Sequence, residues 1–212
     1  MSANNIPHIL ENAHVVIRTL PLVPELQLYL LSDTYPVESL AREEYDRLMQ
    51  RPPYWAFCWG GGQALARWIF DQPQVVEGRL TIDFGAGSGV AGIAAGKCGA
   101  AEVIAVDIDP DALRVCELNG CLNAVDLTTS LTFPRRSEAL LLAADVGYEE
   151  EGFTAVIRHI EQGGAAIIAE SRLRNLQDRF PALRLKSRLQ VRTFPELDEA
   201  EMFDEVHIYA TF

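Results

Sequence analysis

The sequence predicts a mixed α/β fold in which helices cover both faces of a mostly parallel sheet. Three observations support this. Apolar strand-like runs alternate with helix-forming stretches; one run leads into clustered glycines and an Ala-rich helix; another, Ala139–Ala144, ends at an acid. Continuous apolar strands separated by helices are typical of parallel sheets buried on both faces. The 212 residues suit one globular domain with an appendage, which we divide into an N-terminal extension, 1–52, and a main domain, 53–212.

The chain is organised around the stretch 80–95, where an apolar strand runs into a glycine turn and then a helix. Gly85, Gly87 and Gly89 let the backbone bend sharply and approach a bound ligand closely. Ser88 or the glycines can open the following helix, whose free N–H groups and positive dipole end attract anionic groups. The turn is therefore predicted to bind a cofactor.

A second strand, Ile104–Asp107, ends in a carboxylate about twenty residues after the middle glycine. From this position an acid accepts hydrogen bonds from ribose hydroxyls, so Asp107 is the predicted ribose ligand. The glycines alone also satisfy the dinucleotide pattern of nicotinamide enzymes, as Gly87-x-Gly89-x-x-Gly92. That pattern places its first glycine at the strand end, where this chain has Gly85, which makes a nicotinamide oxidoreductase the weaker interpretation.

The segment Asp83–Gly89, of sequence Asp-Phe-Gly-Ala-Gly-Ser-Gly, resembles the first motif of the class I S-adenosylmethionine-dependent methyltransferases. The resemblance implies that Asp83 lies near the methionine end of the cofactor and that Asp107 holds the ribose. Ile108, which directly follows Asp107, is assigned to the same cofactor site. The chain has no acid directly after the third strand, so recognition of the adenine amino group is expected from the backbone or from an unidentified residue.

Aromatic side chains are concentrated in Pro53–Leu65, just before three glycines. We expect Phe57 to belong to the core and Trp59 to wall a pocket. Together with the glycine motif, this run resembles the protein-lysine methyltransferases that modify the electron transfer flavoprotein β subunit. The resemblance implies a Rossmann-like class I methyltransferase fold with a seven-stranded sheet and an N-terminal extension. It also implies that Trp59, Gly61 and Gly62 border the cofactor.

The other elements follow from local patterns. Pro21 and Pro24 favour an extended structure over His14–Leu31, and Pro36–Gln50 is helix-forming. Asp109 is expected to cap a helix that begins at Pro110. Further helices are predicted at Glu150–Ile160 and around Leu173–Phe180, and further strands near Ser130–Phe133, Ala139–Ala144, Ala165–Ala169, Leu185–Val191 and Glu205–Ala210.

Asp145 ends the buried run Ala139–Ala144, which places a carboxylate at the sheet edge where ligands bind in such folds. The family resemblance implies that an Asp-x-x-Tyr motif, here Asp145 and Tyr148, positions the target lysine. A helix-capping or loop carboxylate is the alternative for Asp145. The chain departs from the family at Gly147, where relatives usually carry an aromatic residue, and after Ala169, where it lacks their Gly-Asp-Pro-Gly-Arg run.

The composition limits the classes of partner that we expect the protein to bind. The formal charge of −12 argues against nucleic acid, because phosphate binding needs a basic face. No long apolar run or leader pattern is present, which predicts a cytoplasmic protein without membrane association. Four cysteines and four histidines lack metal-ligand spacing, so buried free thiols and no metal are expected. Basic residues cluster at 172–192 and acidic ones at 196–205; these runs either face each other or form solvated surfaces.

The predicted activity is transfer of a methyl group from S-adenosyl-L-methionine to a nitrogen, on a protein lysine or a protein N-terminal amine. A protein substrate is therefore expected, and the sequence leaves the oligomeric state open. Two alternatives stay open: a small-molecule N-methyltransferase of the same fold, and a non-catalytic protein that binds the cofactor or a partner. No candidate for an obligatory general base is evident in the sequence.

Overall fold

The computed structural model describes residues 6–7, 14–32, 42–147, 150–197 and 199–212. The strands in these ranges are β1 (Val15–Thr19), β2 (Gln27–Leu31), β3 (Leu80–Phe84), β4 (Glu102–Val106), β5 (Thr128–Ser130), β6 (Leu140–Ala144), β7 (Ala165–Glu170), β8 (Arg184–Gln190) and β9 (Glu205–Ala210). The α-helices are α1 (Arg42–Gln50), α2 (Gly60–Asp71), α3 (Val90–Lys97), α4 (Pro110–Leu122), α5 (Glu150–Glu161) and α6 (Leu176–Arg179).

Within the described ranges, seven strands form one sheet in the order β5-β4-β3-β6-β7-β9-β8. The first five of these run parallel, and β9 pairs antiparallel with both β7 and β8. The strand order reverses between β3 and β6, which brings the carboxyl ends of these two strands side by side. Ligands of open α/β sheets bind at such a switch point.

Helices cover both faces of the sheet, as predicted. Leu140 and Leu142 of β6 pack on the side of α2 and α3, whereas Leu141 packs on the side of α5, and all three are fully buried. Alternation along a strand sends successive side chains to opposite faces, so an uninterrupted apolar run is what a two-sided core requires. The buried strand predicted at Ala139–Ala144 is confirmed as β6.

The extended segment predicted over His14–Leu31 is two strands rather than one. β1 and β2 pair antiparallel, with Val15 opposite Leu31. Apolar side chains of this β1–β2 hairpin (residues 15–31) join the same core cluster as α2 and α3; they are Leu20, Val23, Leu26, Leu28 and Leu30. The helix predicted at Pro36–Gln50 is present as α1, and its first part lies outside the described residues.

Two predicted elements are misplaced. The third strand of the main domain is β5, two residues earlier than expected, because this polar segment pairs with the end of β4 while Leu131 is 55% exposed. The helix predicted around Leu173–Phe180 is confined to α6. Asn175 adopts a left-handed conformation, φ 58°, which an α-helix does not accommodate. No helix within the described ranges combines the length and apolarity needed to cross a membrane.

Candidate functional site

A cavity of about 900 Å³ lies at the carboxyl ends of β3, β4 and β6. Because β3 lies between β4 and β6 in the sheet, Asp107 after β4 and Asp145 after β6 flank the cavity on either side of β3. The residues that line it are Gln50, Arg51, Pro52, Tyr54, Trp55, Trp59, Phe84, Gly85, Gly87, Val106, Asp107, Ile108, Asp109, Pro110, Ala112, Ala144, Asp145, Val146, Gly152 and Arg172. The cavity occupies the switch point of the sheet.

The glycine turn forms one part of the cavity wall. Gly85, Gly87 and Gly89 have φ of 67°, 52° and 79°, a left-handed region in which side chains are strained. Gly85 and Gly87 line the cavity, whereas Gly89 is the N-cap of α3 and lies against Cys116. A glycine therefore opens the helix, one of the two options that the sequence left.

Asp107 is fixed at the cavity wall by backbone groups. One carboxylate oxygen accepts the Gly87 N–H at 2.9 Å and the other accepts the Asp109 N–H at 2.9 Å. Burial raises the pKa of this carboxyl, and the N–H donors oppose the shift. An ionised carboxylate offers about four acceptor positions, so acceptor capacity is left for hydroxyl groups of a ligand. Ile108 lines the cavity beside it and is 80% exposed.

Asp83 lies beneath the turn and is not among the residues that line the cavity in the described part of the chain. Its carboxylate accepts the Gly92 N–H at 2.8 Å, and only 3% of the residue is exposed. Burial raises its pKa to about 7. A Cβ at Gly92 would lie 2.9 Å from an Asp83 oxygen, so this glycine is required by close packing.

The aromatic segment forms another part of the wall. Trp59 is the N-cap of α2, lines the cavity and donates its indole N–H to the Tyr54 carbonyl at 3.0 Å. Phe57 is half-buried beside a small apolar cluster and does not line the cavity, which agrees with the expected core role. Gly61 and Gly62 are buried in the first turn of α2 and are also absent from the cavity lining.

Asp145 lines the cavity and also joins the first turn of α2 to the residue after β7. One oxygen accepts the Gly61 N–H at 2.7 Å; the other accepts the Ser171 hydroxyl at 2.9 Å and the Ser171 N–H at 3.3 Å. Asp145 therefore binds an N–H of the first turn of α2, which is the capping role weighed for it. Burial raises its pKa, while Ser171, Gly61 and the Arg172 charge lower it. Tyr148, its predicted partner, lies outside the described residues.

The end of β7 supplies three residues that the sequence analysis missed. Glu170 is 1% exposed and accepts the Gly147 N–H at 2.7 Å; burial raises its pKa to about 8. Ser171 binds Asp145, and the Arg172 guanidinium lies 6.0 Å from the Trp59 ring centroid at the cavity. Their position directly after a buried parallel strand was the available signal, since such ends meet at one sheet edge.

The basic and acidic runs of the C-terminal part face each other, as one of the two interpretations expected. Exposed or half-exposed ion pairs join them: Arg172 with Glu199, Arg174 with Glu205, and Arg192 with Glu196 and Asp204. Pairs of this kind add little stability individually. Of the residues in these pairs, Arg172 lines the cavity, and Glu199 offsets its charge there.

The cysteines do not line the cavity in the described part of the chain. All four thiols are free; Cys58 and Cys116 are buried as expected, but Cys98 is half-buried and Cys121 exposed. Among the residues with described positions, no group of His, Cys, Asp or Glu could hold a metal ion.

The chain is similar to proteins that are named as methyltransferases. Residues 67–146 match the family model of ribosomal protein L11 methyltransferase (PrmA). The chain is 38% identical over 135 residues to the electron transfer flavoprotein β subunit lysine methyltransferase of Rattus norvegicus and 37% identical over 135 residues to that of Homo sapiens. These alignments cover 61% of this chain and 52% and 50% of the relatives, so it spans about half their length.

Solved structures show the fold. A putative RNA methyltransferase from Pyrococcus horikoshii aligns with a TM-score of 0.54 at 19% identity, over 70% of this chain and 79% of that one. A putative methyltransferase complexed with S-adenosylhomocysteine aligns with a TM-score of 0.50 at 11% identity, over 71% and 49%. The predicted class I methyltransferase fold and the resemblance to the lysine methyltransferases are confirmed.

The contact between Gly61 and Asp145 predicts a sharp effect of a single methyl group. In Gly61→Ala the new Cβ would lie 2.5 Å from an Asp145 oxygen, which forces the carboxylate or the first turn of α2 to move. We expect a loss of about 1–3 kcal/mol in the free energy of unfolding, measured by urea denaturation. Gly152→Ala is the matched control, because its Cβ would meet nothing closer than 3.7 Å and a helix favours alanine. Equal stabilities of the two variants would contradict the prediction.

The buried carboxyls predict a decline of stability with rising pH. The pKa rises from 3.8 to about 7 for Asp83 and from 4.5 to about 8 for Glu170. Between the ordinary and the raised pKa the folded protein keeps a proton that the unfolded chain has released. The free energy of unfolding therefore falls as pH rises through this window, by up to roughly 1.4 kcal/mol per pH unit for each group.

Urea denaturation between about pH 5 and about pH 8 measures this slope. The double variant Asp83→Asn/Glu170→Gln keeps both backbone hydrogen bonds but removes both titrations, so its curve is expected to be flatter. Asp126→Asn, at an exposed position, is expected to retain the slope of the unmodified protein. A double variant with an unchanged slope would show that these two groups are not responsible.

Proposed function

We propose that the protein is an S-adenosyl-L-methionine-dependent N-methyltransferase that modifies a lysine side chain of a protein. The observation that carries the proposal is the single cavity that joins the glycine turn and Asp107 to Trp59 and Asp145. This cavity would bring a cofactor site and a site for an amine to one sheet edge. The rat and human relatives described above are named as lysine methyltransferases, which favours this substrate class over other nitrogen nucleophiles.

The residues beside β3 and β4 fit the cofactor. Gly85 and Gly87 allow a ligand to approach the main chain closely, and Asp107 retains acceptor capacity for ribose hydroxyls. Ile108 presents an apolar surface on which an adenine ring can lie. Asp83 would act from beneath the turn by holding Gly92 rather than by lining the cavity. A structural neighbour is complexed with S-adenosylhomocysteine, the product form of this cofactor.

The residues beyond β3 fit an amine substrate. When bound, the cofactor supplies an electrophilic methyl group for direct transfer to the nitrogen. The ring of Trp59 can pack along the aliphatic part of a lysine, and Asp145 can orient its ammonium group. Of about four acceptor positions on this carboxylate, donors from the described residues occupy three, so one is left for the substrate.

Positioning is the main contribution that we assign to the protein. A lysine amine has a solution pKa of about 10.4, so it must lose a proton before attack. Water or a substrate group would take that proton, since we assign no obligatory general base. Holding the nitrogen about 3 to 3.5 Å from the methyl carbon makes the reaction effectively intramolecular, which is worth roughly 7–11 kcal/mol in favourable cases. The role of Tyr148 in positioning the lysine and the domain boundary at residue 53 stay predictions.

Cofactor binding is the first test. We expect the purified protein to bind S-adenosylhomocysteine in a calorimetric titration and Asp107→Ala to bind it at least about tenfold more weakly, because a charged hydrogen-bond acceptor is lost. Asp126→Ala, an exposed acid outside the cavity, is the control and should bind normally. Binding of NAD in place of S-adenosylhomocysteine would overturn the methyltransferase proposal and reassign the glycine turn to a dinucleotide.

Methyl transfer is the second test. With a labelled methyl donor and lysate proteins, we expect label in protein and, after hydrolysis, in methyllysine. Asp145→Asn should reduce incorporation at least about tenfold while S-adenosylhomocysteine binding persists, since the carboxylate charge faces the amine and not the cofactor's ribose. Label confined to low-mass products would favour the small-molecule alternative. Cofactor binding without any transfer would favour the non-catalytic one.

A further inference from the structure

We infer that Asn119 makes the β1–β2 hairpin a working part of the cofactor site, because one buried amide group holds the glycine turn and the hairpin together. Asn119 lies on α4 and is fully buried. Its Nδ2 group donates to the Ser88 carbonyl at 2.8 Å, and its Oδ1 atom accepts the Tyr29 N–H at 2.7 Å. The inference rests on the proposed function in taking S-adenosylmethionine as the ligand of the turn.

The contact to Ser88 lies within the turn itself. Ser88 follows Gly87, whose N–H binds Asp107, and precedes Gly89, which opens α3. Glycine-rich backbone has many accessible conformations, so its geometry depends on the groups that hold its peptides. Asp107 binds the Gly87 N–H on the cavity side of the turn. Asn119 binds the Ser88 carbonyl from beneath the turn. Asn119 is therefore placed to set the orientation of the cofactor-binding backbone without touching the cofactor.

The contact to Tyr29 is part of the docking of the hairpin on α4. Four residues beyond Asn119, at the C-cap of the same helix, Asn123 donates to the Gln27 carbonyl at 2.6 Å and accepts the Gln27 N–H at 3.1 Å. Residues four apart share one face of a helix, so the two amide side chains satisfy successive backbone groups along the edge of β2. Asn119 and Asn123 resemble each other in burial and in the hairpin contact. Asn119 differs in reaching the glycine turn.

A second contact joins the N-terminal extension to the same site. Gln50, Arg51 and Pro52, at the end of α1, line the cavity. The Arg51 guanidinium pairs with Asp109, whose N–H is bound by Asp107, the predicted ribose ligand. The extension thus contacts the cofactor side of the cavity through the α4 N-terminus as well as through Asn119.

Thermodynamic linkage turns this geometry into a measurable coupling. If the docked hairpin stabilises the turn in its binding conformation, a ligand of the turn must stabilise the docked hairpin to the same degree. Cofactor binding is therefore expected to stabilise residues 27–31, although these residues do not line the cavity. A hairpin that serves only as a cover for the core would show no such response.

The experiment combines hydrogen exchange on the unmodified protein with a matched pair of variants. S-adenosylhomocysteine is expected to slow amide exchange of residues 27–31 at least about threefold in the unmodified protein. Asn119→Ala and Asn123→Ala should both weaken hairpin docking and lower the unfolding temperature. Only Asn119→Ala should weaken S-adenosylhomocysteine binding, by about tenfold or more, whereas Asn123→Ala should change it less than about threefold.

Each outcome bears on the inference separately from the proposed function. If the unmodified protein binds S-adenosylhomocysteine and the hairpin amides do not respond, the inference is overturned and the proposed function stands. Equal binding by the two variants would also overturn it. If Asn119→Ala does not fold, the exchange response of the unmodified protein decides. If the unmodified protein does not bind S-adenosylhomocysteine, the proposed cofactor is wrong and the inference fails with it.

Discussion

The architecture of the candidate site depends on carboxylates that are buried or half-buried near the strand ends and bound to backbone N–H groups. Asp83 in β3, Asp107 after β4, Asp145 after β6 and Glu170 at the end of β7 each accept an N–H from a neighbouring turn or helix. An ionised carboxylate is costly to bury unless it is hydrogen-bonded. Each acid therefore requires its loop to adopt one geometry, and together the loops form the cavity wall.

The same burial gives the site its electrostatic character. Removal from water raises the pKa of all four acids, and the mutual repulsion of Asp145 and Glu170 adds to the shift of Glu170. The positive charge of Arg172, which lines the cavity, partly offsets the rise in the pKa of Asp145 and Glu170, and Arg172 is itself paired with Glu199. Asp107 and Asp145 are the two of these acids that line the cavity, and their charge favours ligands that carry positive charge. Both the sulfonium of the proposed cofactor and the ammonium of a lysine meet that requirement.

Local chemistry made part of this site predictable from the sequence. The glycine turn, the strand-end acids and the Asp109 cap of α4 depend on residues close in sequence, and the structure has them where they were expected. β5 was misplaced because this edge strand is polar, whereas apolar residues predicted a strand at Ser130–Phe133. Arg172 and Asn119 were missed because their significance depends on partners far along the chain, Trp59 for one and Ser88 for the other. Single-sequence patterns do not encode such pairings.

Gly61 has a physical role in the structure that differs from the one predicted for it. The sequence suggested that this glycine borders the cofactor, but in the structure its missing side chain makes room for Asp145. The Gly61 N–H then binds that carboxylate, so the first turn of α2 and the loop after β6 fix each other. Trp59 lies directly before this turn, so the same hydrogen bond fixes its position relative to Asp145 in the cavity wall. The aromatic segment and Asp145 are thus joined through this hydrogen bond, and a change in the position of either is expected to shift the other.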